Sequence, residues 1–206
     1  MNSISVNIEE TNVKNVYEEI AEHFKVTRVF TWPWIKEFIH KLPDNSTIYD
    51  IGCGNGRNMI FKNHIMIGID NCEKFVNMCL NDNKFAIYGN MTNINLPDNS
   101  ADAIISIASF HHLSNKINRI NALKEMKRLI KPNAKILLSV WSINQPKKTK
   151  VVFNNYGDQF VSWNHKYERY YYIFKLDEIT DLFQIVGLKI LNYNYDCGNE
   201  IFTLSK

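Results

Sequence analysis

Seven residues, Asp50-Ile51-Gly52-Cys53-Gly54-Asn55-Gly56, restrict this chain more than any others. They close a β-branched, apolar segment, Thr47–Ile51, that reads as a short strand. Glycines at three alternate positions let the backbone turn tightly and approach a ligand that side chains would hold away. In an open parallel sheet such a turn lies beyond the carboxyl ends of the strands, where ligands bind. The spacing is GxGxG and not GxGxxG, which argues against a nicotinamide dinucleotide.

The remaining pattern alternates. Helical spacing of apolar residues runs over 11–25 (Val13, Val16, Tyr17, Ile20, Ala21, Phe24) and over 32–41, opened by Pro33. Strands are predicted at 65–69 (ending at Asp70), 85–88, 101–108 and 134–141, and helices at 72–81, 115–130 and 177–186. Strands at 188–195 and 201–205 are joined by a link too short for a crossover, so they form an antiparallel hairpin. The expectation is one α/β, Rossmann-like domain over 1–206: a mostly parallel seven-stranded sheet, helices on both faces and an antiparallel C-terminal hairpin. Its parts are N-terminal lid and substrate helices (1–43), a cofactor core (44–142), a substrate-side stretch (143–175) and a closing helix and hairpin (176–206). Within this, 142–166 reads as a long surface loop carrying the basic run 147–150. Arg119, Lys124, Lys127 and Arg128 read as a solvated helix face.

A net charge of +3 neither demands nor excludes a nucleic-acid partner. The four cysteines, Cys53, Cys72, Cys79 and Cys197, form no CxxC pair, so no metal site is expected, and they read as free thiols of a reducing compartment. The N-terminus lacks a basic region followed by an apolar one, and no apolar run reaches the roughly 18 residues of a membrane span. A cytoplasmic protein with no membrane contact is the expectation.

Candidate ligand groups cluster around the glycines. Asp70, closing the second strand, can accept from both hydroxyls of a ribose. Asn71 suits the cap of the next helix. Asp50 can accept loop amides or orient a ligand amino group. Asn90-Met91 follow the third strand, where Asn90 can hydrogen-bond an adenine. His111 and His112, read as the end of the fourth strand, would point oppositely and have no carboxylate beside them, so a metal role is not expected.

Taken in order, DIGCGNG, the GID ending at Asp70, GNM at 89–91, LPDNSADAIISIASFHHL and KEMKRLIKPNAKILLSVW resemble class I methyltransferases over 44–142. That resemblance implies S-adenosylmethionine as cofactor. The flanks are more specific. VYEEIAEHF from Val16, Thr27-Arg28, Trp32-Pro33, SFHHL from Ser109, DQFVSW from Asp158 and Arg169-Tyr170-Tyr171-Tyr172 look like the eukaryotic tRNA wobble-uridine carboxyl methyltransferases. Those enzymes esterify 5-carboxymethyluridine in the anticodon loop. The chain departs from them at Ser162 and Leu113 and has only Asn164-His165-Lys166 where the family carries a long polar insertion.

The resemblance implies roles. Arg28 and Arg169 hold the carboxylate or a nearby phosphate, His112 faces the methyl group, and Trp141 and Trp163 wall the splayed base. Tyr17 and His23 lie on a lid helix over a cofactor held by Asp50, Gly52, Cys53, Gly54, Asn55, Gly56, Asp70, Asn71, Asn90 and Met91. The family works as a heterodimer with a small zinc-binding activator, expected at the edge strand from Phe85 to Tyr88. Against this stand a methyltransferase of a small molecule or lipid, and a silent scaffold with a cofactor fold.

Overall fold

A computed structural model describes residues 7–149 and 151–206. A π-helical turn, Glu10–Lys14, continues into α1 (Asn15–Thr27), and Pro33 opens α2 (Pro33–His40), where its missing N–H costs nothing. Then follow β1 (Thr47–Ile51), β2 (Ile65–Asp70), α3 (Glu73–Asn81), β3 (Ala86–Tyr88) and β4 (Ala101–Ile107). Asn115 caps α4 (Lys116–Leu129) by accepting from the Asn118 N–H at 2.8 Å, and β5 (Ile130–Trp141) leaves it directly. The chain ends with β6 (Gly157–Trp163), β7 (Tyr167–Ile173), α5 (Leu176–Val186), β8 (Lys189–Asp196) and β9 (Asn199–Ser205). Gly187, at φ 68°, supplies the left-handed stop after α5.

The main sheet has the order β3-β2-β1-β4-β5-β9-β8. Strands β1 to β5 pair in parallel, whereas β9 runs antiparallel to both β5 and β8. The chain winds outward from β1 to β3 and then crosses back to β4, so the order reverses between β1 and β4. Ligands bind at that switch point, beyond the strands' carboxyl ends. On one face Ile104, Leu138 and Phe202 pack against α4 and α5 through Leu123, Met126, Leu182 and Phe183. On the other, Ile35 and Ile39 of α2 cover Ile48, Ile105 and Leu137. No helix among the described residues is long and apolar enough to cross a membrane.

Three expectations need correction. The stretch read as a loop over 142–166 contains β6, which pairs with β7 in a separate antiparallel sheet. Asn164 and His165, both at positive φ, make that turn without a glycine, so the sequence carries no glycine turn signal there. The histidine pair lies not on a strand but on a 3-10 turn, Phe110–His112, after Ala108 turns the chain at φ 53°. The basic face of α4 is not simply solvated. Arg119 is buried over the Tyr172 ring at 3.4 Å, and its Nε–H donates to the Leu113 carbonyl. Lys147–Thr149 forms a short 3-10 turn, and Lys150 of the same run lies outside the described residues.

Candidate active site

The glycine loop is fastened to β2. Gly52 and Cys53 N–H both donate to the Ile69 carbonyl, and Gly54 N–H donates to Asp70 Oδ2 at 2.8 Å. Gly52 stands at φ 77°, and a Cβ there would lie 2.3 Å from Ser109 Cβ, so no other residue fits. Gly56 serves packing instead: its missing Cβ makes room for Cys79 Sγ of α3, and it does not line the cavity. The Cys53 thiol turns beneath Gly68 into the core, and the neighbouring Cys79 thiol and then burial push its pKa well up. Asn55 ties the loop to the end of α1, donating to the Arg28 carbonyl at 2.9 Å.

Beyond this loop lies a cavity of about 830 Å³, bordered by Gly52, Asp70, Asn71, Asn90 and Met91 on the loop side. Tyr17, Arg28, His112, Trp141 and Arg169 line its other walls. Asp70 accepts the Cys72 N–H at 2.9 Å as well as that of Gly54, whereas the first amides of α3, Glu73 and Lys74, donate to the Glu18 carboxylate of α1 and not to Asn71. Each Asp70 oxygen keeps a second lone pair for a ribose hydroxyl. Burial raises its pKa to about 6. Asn90 Oδ1 accepts both the N–H and the hydroxyl of Thr92, which leaves its amide N–H₂ to donate. Asp50 lies behind the loop, fully buried, and neither carboxylate oxygen has a hydrogen-bond partner among the described residues. It does not take the loop amides. Burial pushes its pKa up to about 7, against the pull of the Arg57 guanidinium. Asp50 does not line the cavity and can act on a ligand only through its charge behind the loop; the ribose acceptors of Asp70 and the free amide donor of Asn90 fit the adenosine of S-adenosylmethionine.

The opposite wall is built on the two histidines, whose rings lie 4.7 Å apart. His112 Nδ1–H donates to the Tyr170 carbonyl at 2.6 Å, so its Nε2 is the acceptor for the Tyr17 hydroxyl at 3.0 Å. His111 has the reverse tautomer. The Trp141 N–H donates to its Nδ1 at 2.9 Å, so Nε2 carries the proton, and Nε2 is buried without a partner. Desolvation keeps both rings neutral, lowering His112 to about 3 and His111 well below 6.5.

Arg169 is only 4% exposed and stacks over Trp163 at 4.6 Å and Tyr171 at 5.3 Å. Its Nε has no partner, and no ion pair reaches it among the described residues. Trp163 packs against Val16 and Ile20 of α1 and backs the guanidinium instead of walling the cavity. His23 is exposed and meets Trp163 edge-on at 5.2 Å, outside the cavity rather than over it. Arg28 sits over Phe24 and Trp163 at the mouth. Trp141 stacks on Tyr171 at 4.5 Å and 14°.

Sequence reasoning gave no role to the wall residues Arg57 and Tyr171, and weighed His111 only as a metal ligand. Arg57 had a signal, a cation directly after the glycine loop. Its pKa is lowered by burial and then by Arg28, so two cations face one cavity.

Comparison with known proteins places this geometry. A methyltransferase domain family matches residues 49–138. The tRNA (carboxymethyluridine(34)-5-O)-methyltransferase of Schizosaccharomyces pombe is 32% identical over 95% of this chain and 96% of its own length. The Mus musculus relative of the same name, ALKBH8, is 38% identical over 71% of the chain, which spans 22% of that longer protein. Among solved structures, a chain of the complex between the Haloferax volcanii Trm112 methyltransferase activator and a methyltransferase superposes with a TM-score of 0.71. It covers 94% of this chain and 96% of its own at 15% identity, a likeness of fold. The chain belongs to the tRNA (carboxymethyluridine(34)-5-O)-methyltransferase family.

Proposed function

We propose that this chain methylates the carboxylate of 5-carboxymethyluridine at the wobble position of a tRNA anticodon, in the cytoplasm. The observation that carries the reading is Arg169, a buried cation in the cavity wall without a counter-ion among the described residues. Such a group is costly unless an anion completes it. S-adenosylmethionine is the cofactor and supplies an electrophilic methyl group on a cationic sulfur. A carboxylate with a pKa near ~4 is already ionised at neutral pH, so no residue has to remove a proton. What the residues contribute is orientation, worth about 7–11 kcal/mol, and exclusion of water. Arg169 holds the carboxylate through its planar fork, and Trp163 and Tyr171 fix that fork in place. Arg28 suits a phosphate of the RNA, the largely buried Arg57 adds positive charge to the cavity wall, and Trp141 offers a face to the base. On this reading 143–175 forms the substrate side and 1–43 the lid.

The activator belongs on β3. That strand is the open edge of the sheet, with Phe85 59% and Tyr88 53% exposed. The Phe85 carbonyl and the Gly89 N–H already bond β2, so by alternation the Ala86 and Tyr88 backbone groups point outward to a docking strand.

The test is methylation of bulk tRNA by the purified chain, with and without a zinc-binding activator. The expected product is a base-labile methyl ester on a wobble uridine. A base-stable methyl group, or no label with activator present, rejects the reading.

A further inference from the structure

Two adjacent histidines face the cavity, and only one of them has a nitrogen to spare. His112 spends both, on Tyr170 and Tyr17. His111 spends Nδ1 on the Trp141 N–H, and its Nε2–H is left buried and unpartnered in a ring that lines the cavity. The ring is 0% exposed and held by Tyr171 at 4.9 Å, Trp141 at 5.7 Å and His112 at 4.7 Å. A half-turn about its long bond would put carbon against the Trp141 N–H and orphan it, so backbone geometry fixes which nitrogen donates. The second unsatisfied group, Arg169 Nε, belongs to a guanidinium that packs on the same Tyr171 ring. Both groups are donors, and neither can become an acceptor at neutral pH.

We propose that His111 is a specificity-determining residue: its Nε2–H, with the Arg169 guanidinium, forms a donor-only pair that accepts a carboxylate and rejects the carboxamide of the same shape. This rests on the carboxyl-methyl reading above. A carboxylate offers acceptors at both oxygens, so each buried donor finds a partner. A carboxamide must turn its N–H₂ toward one of them, which leaves two donors facing each other in a dry site. The distinction matters because the amide is no methyl acceptor at neutral pH. An RNA carrying it would occupy the cavity without turning over.

The experiment uses the full chain with activator and two anticodon stem-loop RNAs, one with 5-carboxymethyluridine and one with 5-carbamoylmethyluridine. Wild type should bind the amide RNA, measured as a competitive inhibitor, about 10- to 100-fold more weakly than the acid RNA. His111→Asn keeps an acceptor for the Trp141 N–H at the Nδ1 position and deletes the donor. It should raise KM for the acid RNA by a similar factor and narrow the acid-to-amide ratio toward one. Its affinity for S-adenosylhomocysteine should stay within about twofold, since that ligand does not need the donor. His111→Gln, which carries an N–H near the Nε2 position, should recover part of the ratio. An unchanged ratio in a folded His111→Asn overturns the proposal alone. Equal binding of the two RNAs by wild type also overturns it, and needs no variant. If wild type fails to esterify the acid RNA, the functional reading falls and this proposal falls with it.

Discussion

Replacing Asp50 with Asn should make the ligand-free chain more stable and, at the same time, a poorer binder. Asp50 is fully buried and neither of its oxygens is hydrogen-bonded among the described residues. Desolvation raises its pKa from 3.8 to about 7, Asp70 adds to the rise, and Arg57 opposes it. In the unfolded chain the carboxyl ionises near its ordinary value, so between these two pKa values the folded state retains a proton that the unfolded state has released. Stability contributed by that proton is fully present below about pH 4, is lost as pH rises through 7, and levels off above. A shift of about three units corresponds to ~4 kcal/mol, and relaxation around the ionised group brings the expected loss to ~2–4 kcal/mol. Asn has the same shape and no charge. Urea unfolding without ligand should therefore show Asp50→Asn gaining ~2–4 kcal/mol over wild type at pH 8.5 and less than ~1 kcal/mol at pH 4. Calorimetry should show S-adenosylhomocysteine bound more weakly, because the negative charge buried behind the loop, outside the cavity lining, no longer attracts the cofactor's ammonium. A stability difference that stays the same at both pH values would refute the argument, whatever its size.

Three further outcomes follow from the geometry. Gly52→Ala combines a left-handed φ with a Cβ 2.3 Å from Ser109 Cβ, so it should cost ~2–5 kcal/mol in thermal unfolding and abolish cofactor binding; a loss below ~0.5 kcal/mol contradicts this. Arg169→Lys keeps the charge but not the fork, and should lower kcat/KM for RNA about 100-fold with S-adenosylhomocysteine affinity unchanged; equal losses in both would place the residue in the cofactor site instead. Tyr88→Pro removes an outward N–H from the β3 edge without touching the bonds to β2, and should end co-purification with the activator while leaving the melting temperature near that of wild type. Retained co-purification moves the docking site elsewhere.

The parts that sequence could reach are those governed by local rules. Strand β1 begins at Thr47 and ends at Ile51, as its β-branched run and following glycines imply, and the short link at Gly198 does force β8 and β9 antiparallel. What escaped depends on contacts between distant segments. The β6–β7 hairpin is turned by Asn164 and His165 at positive φ, residues that carry no strong turn signal as a pair. The two histidines read as a strand end because Ala108, which breaks β4, is an unremarked alanine in an apolar run. Which of them keeps a free nitrogen is decided by Tyr17, Trp141 and Tyr170, each more than 25 positions away. Asp50 looks like part of the loop in sequence, yet its isolation appears only once β2 and β4 flank it in the sheet.

That isolation also decides what pH should do to the reaction. A histidine acting as base would impose a limb near its pKa on kcat. Here both histidines stay neutral across the working range, His112 at about 3 and His111 well below 6.5. The groups of the site that titrate near neutrality are Asp50 at about 7 and Asp70 at about 6, and both belong to the cofactor side. Ionised, Asp50 sets a negative field behind the glycine loop, outside the cavity lining, and Asp70 meets a ribose as an acceptor. The rate at low cofactor should therefore rise from pH 5.5 to 7.5 and then stay flat, while kcat at saturating cofactor and RNA changes little. Asp50→Asn should remove the upper part of that rise. A limb near 7 that persists in kcat at saturation, and survives Asp50→Asn, would mean that a proton is moved during methyl transfer. The acceptor would then not be a carboxylate, and the donor-only wall of His111 and Arg169 would need a different substrate.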